Sequence, residues 1–216
     1  MEINIEIINE GDVIQERVIQ EHINERFKQQ PVKKILLVNP PDVDSSVFDF
    51  TVAKRGRSNN YPAYGLGVIA KHLQLNNFDV EICNLNHDLL KIVKNCENGE
   101  KFNYDETWQR ILDDYINSFK PDMIGVTCIF SVTHSSFVKV CQYTKTSKKP
   151  RHSNGDIPLV IGGVHVTHDL DSMLKDIPEA DYIFLNEAEL ALTQFLKFVN
   201  GETDSTALGQ IVFPFK

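Results

Sequence analysis

The stretch Lys34-Ile35-Leu36-Leu37-Val38-Asn39-Pro40-Pro41 decides the fold. Ile35 to Val38 is apolar without alternation, and Asn39-Pro40-Pro41 ends it abruptly. A strand apolar on both sides belongs in the middle of a sheet with both faces covered, the setting of parallel strands. Similar short runs recur at Val80–Cys83, Met123–Thr127, Leu159–Ile161 and Tyr182–Leu185. Helical patterns separate them: Leu66–Leu75, Ser135–Tyr143, Leu190–Val199, and Trp108, Ile111, Leu112, Tyr115, Ile116 and Phe119 at helical spacing. His87–Cys96 adds at most a short turn of helix. Strands alternating with helices mean βαβ units with right-handed crossovers. The expected fold is therefore α/β, a flavodoxin-like (Rossmann-like) open parallel sheet of five strands in the order 2-1-3-4-5, with helices on both faces.

The flanks differ from this core. Ile3, Ile5 and Ile7 alternate with polar residues as in a half-buried strand. Gly11-Asp12 breaks the run, and Ile14, Val18, Ile19, Ile23 and Phe27 follow at helical spacing. The expected organisation is an N-terminal extension at 1–31 (short strand plus surface helix), a core domain at 32–200, and a tail or linker at 201–216. Lys145–Asp156 is basic and polar and is expected to be an extended loop.

Composition narrows the classes of function. The 216 residues carry 22 Lys+Arg against 30 Asp+Glu, a net charge of −8, whereas a general nucleic-acid binder is basic. No apolar run approaches the roughly 20 residues that span a bilayer, and the N-terminus lacks the pattern of a secretory signal. Cys83, Cys96, Cys128 and Cys141 are widely spaced, with no CxxC pair. That suits reduced thiols in a cytoplasmic protein better than disulfides or a zinc site.

In an open parallel sheet, ligands bind beyond the carboxyl ends of the strands. The segments there are Asn39–Asp44, Thr127–Ser131, Gly162–Thr167 and Asn186–Glu189, rich in Gly, Ser, Thr and Pro. They suit a flat or elongated ligand over backbone amides better than a catalytic cluster. Gly65-Leu66-Gly67-Val68-Ile69-Ala70 matches GxGxxA, but the dinucleotide fingerprint needs its glycines directly after the first strand. Here that strand ends more than twenty residues earlier, and the glycines fit close helix packing or a neighbouring ligand. A phosphorylation receiver would end its third strand in Asp and its fifth in Lys. Thr127-Cys128 and Leu185-Asn186 stand there instead. His165 is open to two readings, a ligand contact or a loop histidine bonded to nearby backbone. Glu187 and Glu189 are two apart at a helix start, where carboxylates are favoured but do not face each other. Cys128 reads as a small buried residue.

Taken in order, Lys34–Pro41, Pro62–Ala70, Pro121–Thr127, Ile161–Thr167 and Ala180–Glu189 resemble the N-terminal cobalamin (B12)-binding domain of cobalamin-dependent radical SAM proteins. The resemblance covers about Lys33 to Val199. It implies a cobalamin-binding, hence cobalt-containing and metal-binding, unit of a radical SAM enzyme of the methyltransferase type. Cofactor contacts are then expected from Pro41, Tyr64, Gly65, Thr127, Phe130, Ser131, Gly162, Gly163, His165, Thr167 and Glu187, with no catalytic residue and no protein ligand to the metal. The Asp-x-His-x-x-Gly signature of a lower axial histidine is absent after the first strand, so the resemblance implies a corrinoid held base-off. Its nucleotide tail would run down beside Gly162, Gly163 and the Thr127–Ser131 loop.

Complete members of that family continue into a barrel with CxxxCxxC for an iron–sulfur cluster and S-adenosylmethionine. No cysteines here have that spacing, so the resemblance implies a chain not catalytic alone, working with a radical SAM barrel domain in cis or trans. No nucleic-acid or membrane partner is expected. Two departures stand out: Asn186-Glu187-Ala188-Glu189 replaces the usual Gly-Glu-Gly-Glu, and Val164 stands where a Pro is frequent. Both are expected to relax conformational control at ligand-facing loops. The competing expectation is a non-catalytic protein-interaction module with the same fold and no cofactor. Flavin binding has little support, because the loop after the first strand is not a Ser/Thr-Gly phosphate cradle.

Overall fold

Short apolar runs become strands here because their two side-chain rows face different helical layers. The computed structural model describes residues 4–7, 16–27, 30–97, 99–146, 157–204, 208 and 210–215. Seven strands form one sheet: β1 (Asn4–Ile7), β2 (Lys34–Asn39), β3 (Asp79–Asn84), β4 (Met123–Thr127), β5 (Leu159–Gly162), β6 (Tyr182–Phe184) and β7 (Ile211–Phe215). Their order is β1-β7-β6-β5-β4-β2-β3. From β2 to β6 the strands are parallel and in the order expected. The five-strand expectation is too small, however: β7 pairs antiparallel with β6, and β1 antiparallel with β7. The stretch read as a tail thus carries a strand. β6 pairs only with Ile211 and Val212, so Pro214 lies beyond that ladder, where its missing N–H is tolerated.

Nine helices are seen among the described residues: α1 (Glu16–Phe27), α2 (Phe50–Lys54), α3 (Tyr64–Leu75), α4 (Leu85–Asn95), α5 (Tyr104–Phe119), α6 (His134–Thr146), α7 (Val164–His168), α8 (Leu170–Asp176) and α9 (Ala188–Val199). His87–Cys96 is not a short turn but most of α4. This helix leaves β3 directly, capped by the Asn84 side chain, which accepts from the His87 amide at 3.1 Å. Leu85, Leu89 and Val93 are buried along one stripe, the spacing of an amphipathic helix. α2 lies between the end of β2 and Pro62, started by Asp49, whose carboxylate accepts from the Val52 amide at 3.0 Å. The first residues of the expected Lys145–Asp156 loop complete α6, and 147–156 lie outside the described residues, as does Ile14.

Alternation sorts the core into two layers. Leu36, Val38, Ile124, Val126, Leu159, Ile161 and Ile183 face α4, α5 and α6. Ile35, Leu37, Met123, Val160, Tyr182 and Phe184 face α1, α3 and α9. The N-terminal helix is no mere surface element, because Ile23 and Phe27 are buried in this second layer. Asp181 ties the layers at the amino end of the strands. Its carboxylate accepts two bonds from Arg26, one from Lys145 Nζ at 2.7 Å and one from the Leu159 amide at 2.7 Å. No described helix is long and apolar enough to cross a membrane.

Candidate functional site

The carboxyl ends of β4, β5 and β6 open into a slot between the sheet and helices α3 and α9. Its origin is a single position. Along β4, Met123 is buried on this face, but Gly125 presents no side chain there. A Cβ at Gly125 would lie 3.1 Å from Leu37 and 3.3 Å from Val160, so glycine keeps the floor low between them. Leu66 and Ile69 from α3, Ala188 and Leu192 from α9, and Phe184 from β6 complete apolar walls around about 270 Å³. That volume approaches the lower end for small-molecule pockets.

The mouth is built from backbone and held by the loops after β4 and β5. Gly163 has φ +118°, and a Cβ there would strike the Cys128 carbonyl and approach Thr127 Oγ1 to 2.8 Å. Only glycine lets these loops close on each other. The Cys128 amide donates to the Gly162 carbonyl at 2.9 Å, and the His165 amide to the Cys128 carbonyl at 3.1 Å. Thr167 Oγ1 accepts from the Asn186 amide at 2.8 Å, tying the β6–α9 turn to the same assembly. Asn186 itself sits at φ +58°. Asparagine is among the few non-glycine residues that adopt this conformation readily. The expected relaxation at Asn186 is therefore not what the structure has: the glycine-like turn is kept and is bonded in place.

The anticipated residues fall into distinct groups. Gly65, Thr127, Gly162, Gly163 and Glu187 line the slot. Tyr64 and Phe130 are exposed next to slot residues Gly65 and Ile129, and Ser131 opens the turn before α6. Pro41 is buried, and its carbonyl accepts from the Ser136 hydroxyl. Thr167 braces the loops from behind. His165 is not part of the slot wall. Its Nε2 lies 3.2 Å from His134 Nδ1, and His134 Nε2 lies 3.0 Å from the Asp176 carboxylate. His165 is thus bonded within the protein, to a histidine partner through its ring and to the Cys128 carbonyl through its amide.

The lining is mostly apolar, with Thr127, Asn186, Glu187 and Glu189 as its polar side chains. Burial pushes the Cys128 thiol up, opposed by a smaller effect of the Thr133 hydroxyl, which disfavours a thiolate nucleophile. Burial also raises the Asp42 carboxyl. Among the described residues no group of three or more His, Cys, Asp or Glu could hold a metal ion. Leu37, Ile69, Gly125, Val160, Phe184 and Leu192 were missed by inspection of strand ends alone. The available signal was Gly125, a glycine inside an otherwise apolar strand, which marks a close approach of backbone or ligand.

A family model for the B12 binding domain matches residues 51–196. The chain belongs to the B12-binding domain family. Solved structures agree at the level of fold. The radical S-adenosylmethionine methyltransferase TsrM from Kitasatospora setae, with cobalamin and a 4Fe-4S cluster bound, superposes with a TM-score of 0.58 at 16% identity, covering 86% of this chain and 28% of that one. The cobalamin-dependent S-adenosylmethionine radical enzyme OxsB, with aqua-cobalamin bound, gives 0.52 at 15% identity, covering 87% and 21%. The B12-binding domain thus spans less than a third of either chain. No curated protein matches it in sequence.

The slot fits the cofactor that the family name implies. A corrinoid's nucleotide tail ends in a flat aromatic base, which an apolar slot with a glycine floor accommodates. Among the described residues no histidine lines the slot.

Proposed function

We propose that this chain holds a corrinoid, base-off and without a histidine ligand from the protein, as the cobalamin-binding part of a radical SAM enzyme of the methyltransferase type. The observation that carries the reading is the slot opened by Gly125 at the carboxyl edge of the sheet. Leu37, Leu66, Ile69, Val160, Phe184 and Leu192 would clasp the nucleotide base, and Gly65, Gly162 and Gly163 would admit its linker. Thr127 and Glu187 would offer polar contacts at the mouth. Pro41, Tyr64, Phe130 and Ser131 would border the ring, and Thr167 and His165 would position the loops from behind.

When bound, the cofactor would supply a cobalt centre that can carry a methyl group. The protein's share is burial, orientation and exclusion of water. Activation of a substrate carbon would fall to a radical SAM barrel in cis or trans. Its iron–sulfur cluster would not be built from Cys83, Cys128 and Cys141, which are buried separately.

Incubation with hydroxocobalamin followed by gel filtration tests the reading. The expected result is stoichiometric co-elution of corrinoid absorbance, with the spectrum of the base-off form after reduction. Loss of all corrinoid under both oxidising and reducing conditions contradicts it and favours a cofactor-free interaction module.

A further inference from the structure

A second cavity lies on the other flank of the sheet's carboxyl edge, between α2 and α4, and encloses about 370 Å³. Its polar lining is Gly56, Ser58, Asn60, His87, Lys91 and Lys94, and among the described residues no carboxylate lines it. This is unusual in a chain whose acids outnumber its bases by eight. Lys91 and Lys94 are three apart on α4 and therefore share a face. Neither ammonium has an ion-pair partner among the described residues. Arg55 and Arg57 flank the cavity in sequence and likewise have none.

The walls are fixed rather than incidental. Asn86 is buried, and its side chain accepts from the Asp42 amide at 3.1 Å and donates to the Asn59 carbonyl at 3.0 Å. The neighbouring His87 Nδ1 lies 3.3 Å from Asn60 Oδ1. At the other end the Arg57 amide donates to the Val52 carbonyl at 3.1 Å. Lys54 reaches across to α4, donating to the carbonyls of Lys94 and Cys96. It thereby satisfies acceptors at the helix end that would otherwise repel an anion. Lys91 and Lys94, both exposed, remain at the rim of a cleft with a hydroxyl, an amide and an imidazole.

We propose that this cavity binds the phosphate group of a small phosphorylated metabolite. Two lysines match a phosphate dianion in charge, and charge-assisted bonds are the stronger kind. Lysine serves here as a point charge and leaves orientation to Ser58, Asn60 and His87. The cavity exceeds the space of a bare phosphate, so the ligand has an organic body, with Ala53 and Leu90 as its apolar contacts. The site does not depend on the corrinoid reading.

The test is a titration of the ¹⁵N-labelled full chain with inorganic phosphate and with glycerol 3-phosphate, at ionic strength held constant with chloride. Saturable amide shifts confined to 54–60 and 87–94 are expected, with glycerol 3-phosphate the tighter ligand. Lys91→Ala/Lys94→Ala weakens binding at least tenfold, while Lys71→Ala/Lys175→Ala, at exposed positions elsewhere, leaves it unchanged. Alanine is tolerated in helices, so both variants fold. Absence of saturation, or equal weakening in both double variants, overturns the proposal. So does tighter binding of a short oligonucleotide at the same residues. Retention of hydroxocobalamin stays at the wild-type level in Lys91→Ala/Lys94→Ala; a parallel loss would assign the lysines to the corrinoid's own phosphate and overturn the proposal too.

Discussion

The two faces of one sheet have been built to different ends. On the face toward α4, α5 and α6, Ile124 and Val126 of β4 are buried in one cluster with Leu112, Phe137 and Val140, and these three helix residues have no measurable exposure. On the face toward α3 and α9 the same strand offers Gly125, and about 270 Å³ stays open. One face fills its apolar area with side chains, and the other leaves the slot between β4, α3 and α9. Interiors are otherwise close-packed, and ligands of open parallel sheets bind at this edge, which is why the slot carries the proposed function.

Identical substitutions on the two faces sharpen this contrast most. Leu112→Ala leaves a cavity in a filled layer and is expected to cost about 4 kcal/mol, within the range for buried leucines. Leu192→Ala removes a side chain that already borders open space and has fewer contacts to lose, so about 2 kcal/mol is expected. Urea denaturation of both variants measures the difference, and equal costs would break the comparison.

Asp181 holds the two faces together. Asp181→Asn removes the charge shared by Arg26 and Lys145 and is expected to cost about 3 kcal/mol in the same assay. A change below about 1 kcal/mol would show that the clamp contributes no more than an exposed pair.

A smaller effect concerns acid. Asp44 is held well below the usual carboxylate range, first by the hydrogen bond from Lys139 and then by the Ser46 amide. A depressed carboxyl stabilises the fold above its unfolded pKa, near 4, and that contribution disappears as pH falls through the folded value. Lys139 is substantially exposed, so the gain is under about 1 kcal/mol. Wild type should therefore exceed Asp44→Asn in stability at pH 7 and converge with it toward pH 2, as read by thermal melts across pH. A gap that widens in acid would contradict the sign.

Much of this architecture is legible in the chain. Apolar runs without alternation disclose buried parallel strands, and the punctuation after each, such as Asn39-Pro40-Pro41, marks the edge where ligands bind. β7 was hidden because Pro214 reads as a strand breaker, yet it pairs with Ile5 of β1 and lies beyond the ladder with β6. α4 was underestimated because Asn84, Asn86, His87 and Asp88 mask a regular stripe at Leu85, Leu89 and Val93. The slot was only half legible. Gly65, Gly162 and Gly163 announce themselves at strand ends and helix starts, whereas Leu37, Val160 and Leu192 look like ordinary core until Gly125 is seen to leave them uncovered. The link from His165 to His134 spans 31 residues, and no local pattern encodes it.

Two glycines on one helix test the central claim most directly. A Cβ at either Gly65 or Gly67 meets nothing within 4 Å, but Gly65 borders the slot and Gly67 the outer surface of α3. Replacing either by leucine removes a glycine from a helix and is expected to stabilise the fold by up to about 1 kcal/mol. Hydroxocobalamin retention should then separate them: wild type and Gly67→Leu keep the corrinoid, and Gly65→Leu, equally well folded, loses it. Undiminished retention by Gly65→Leu would contradict the assignment of the slot.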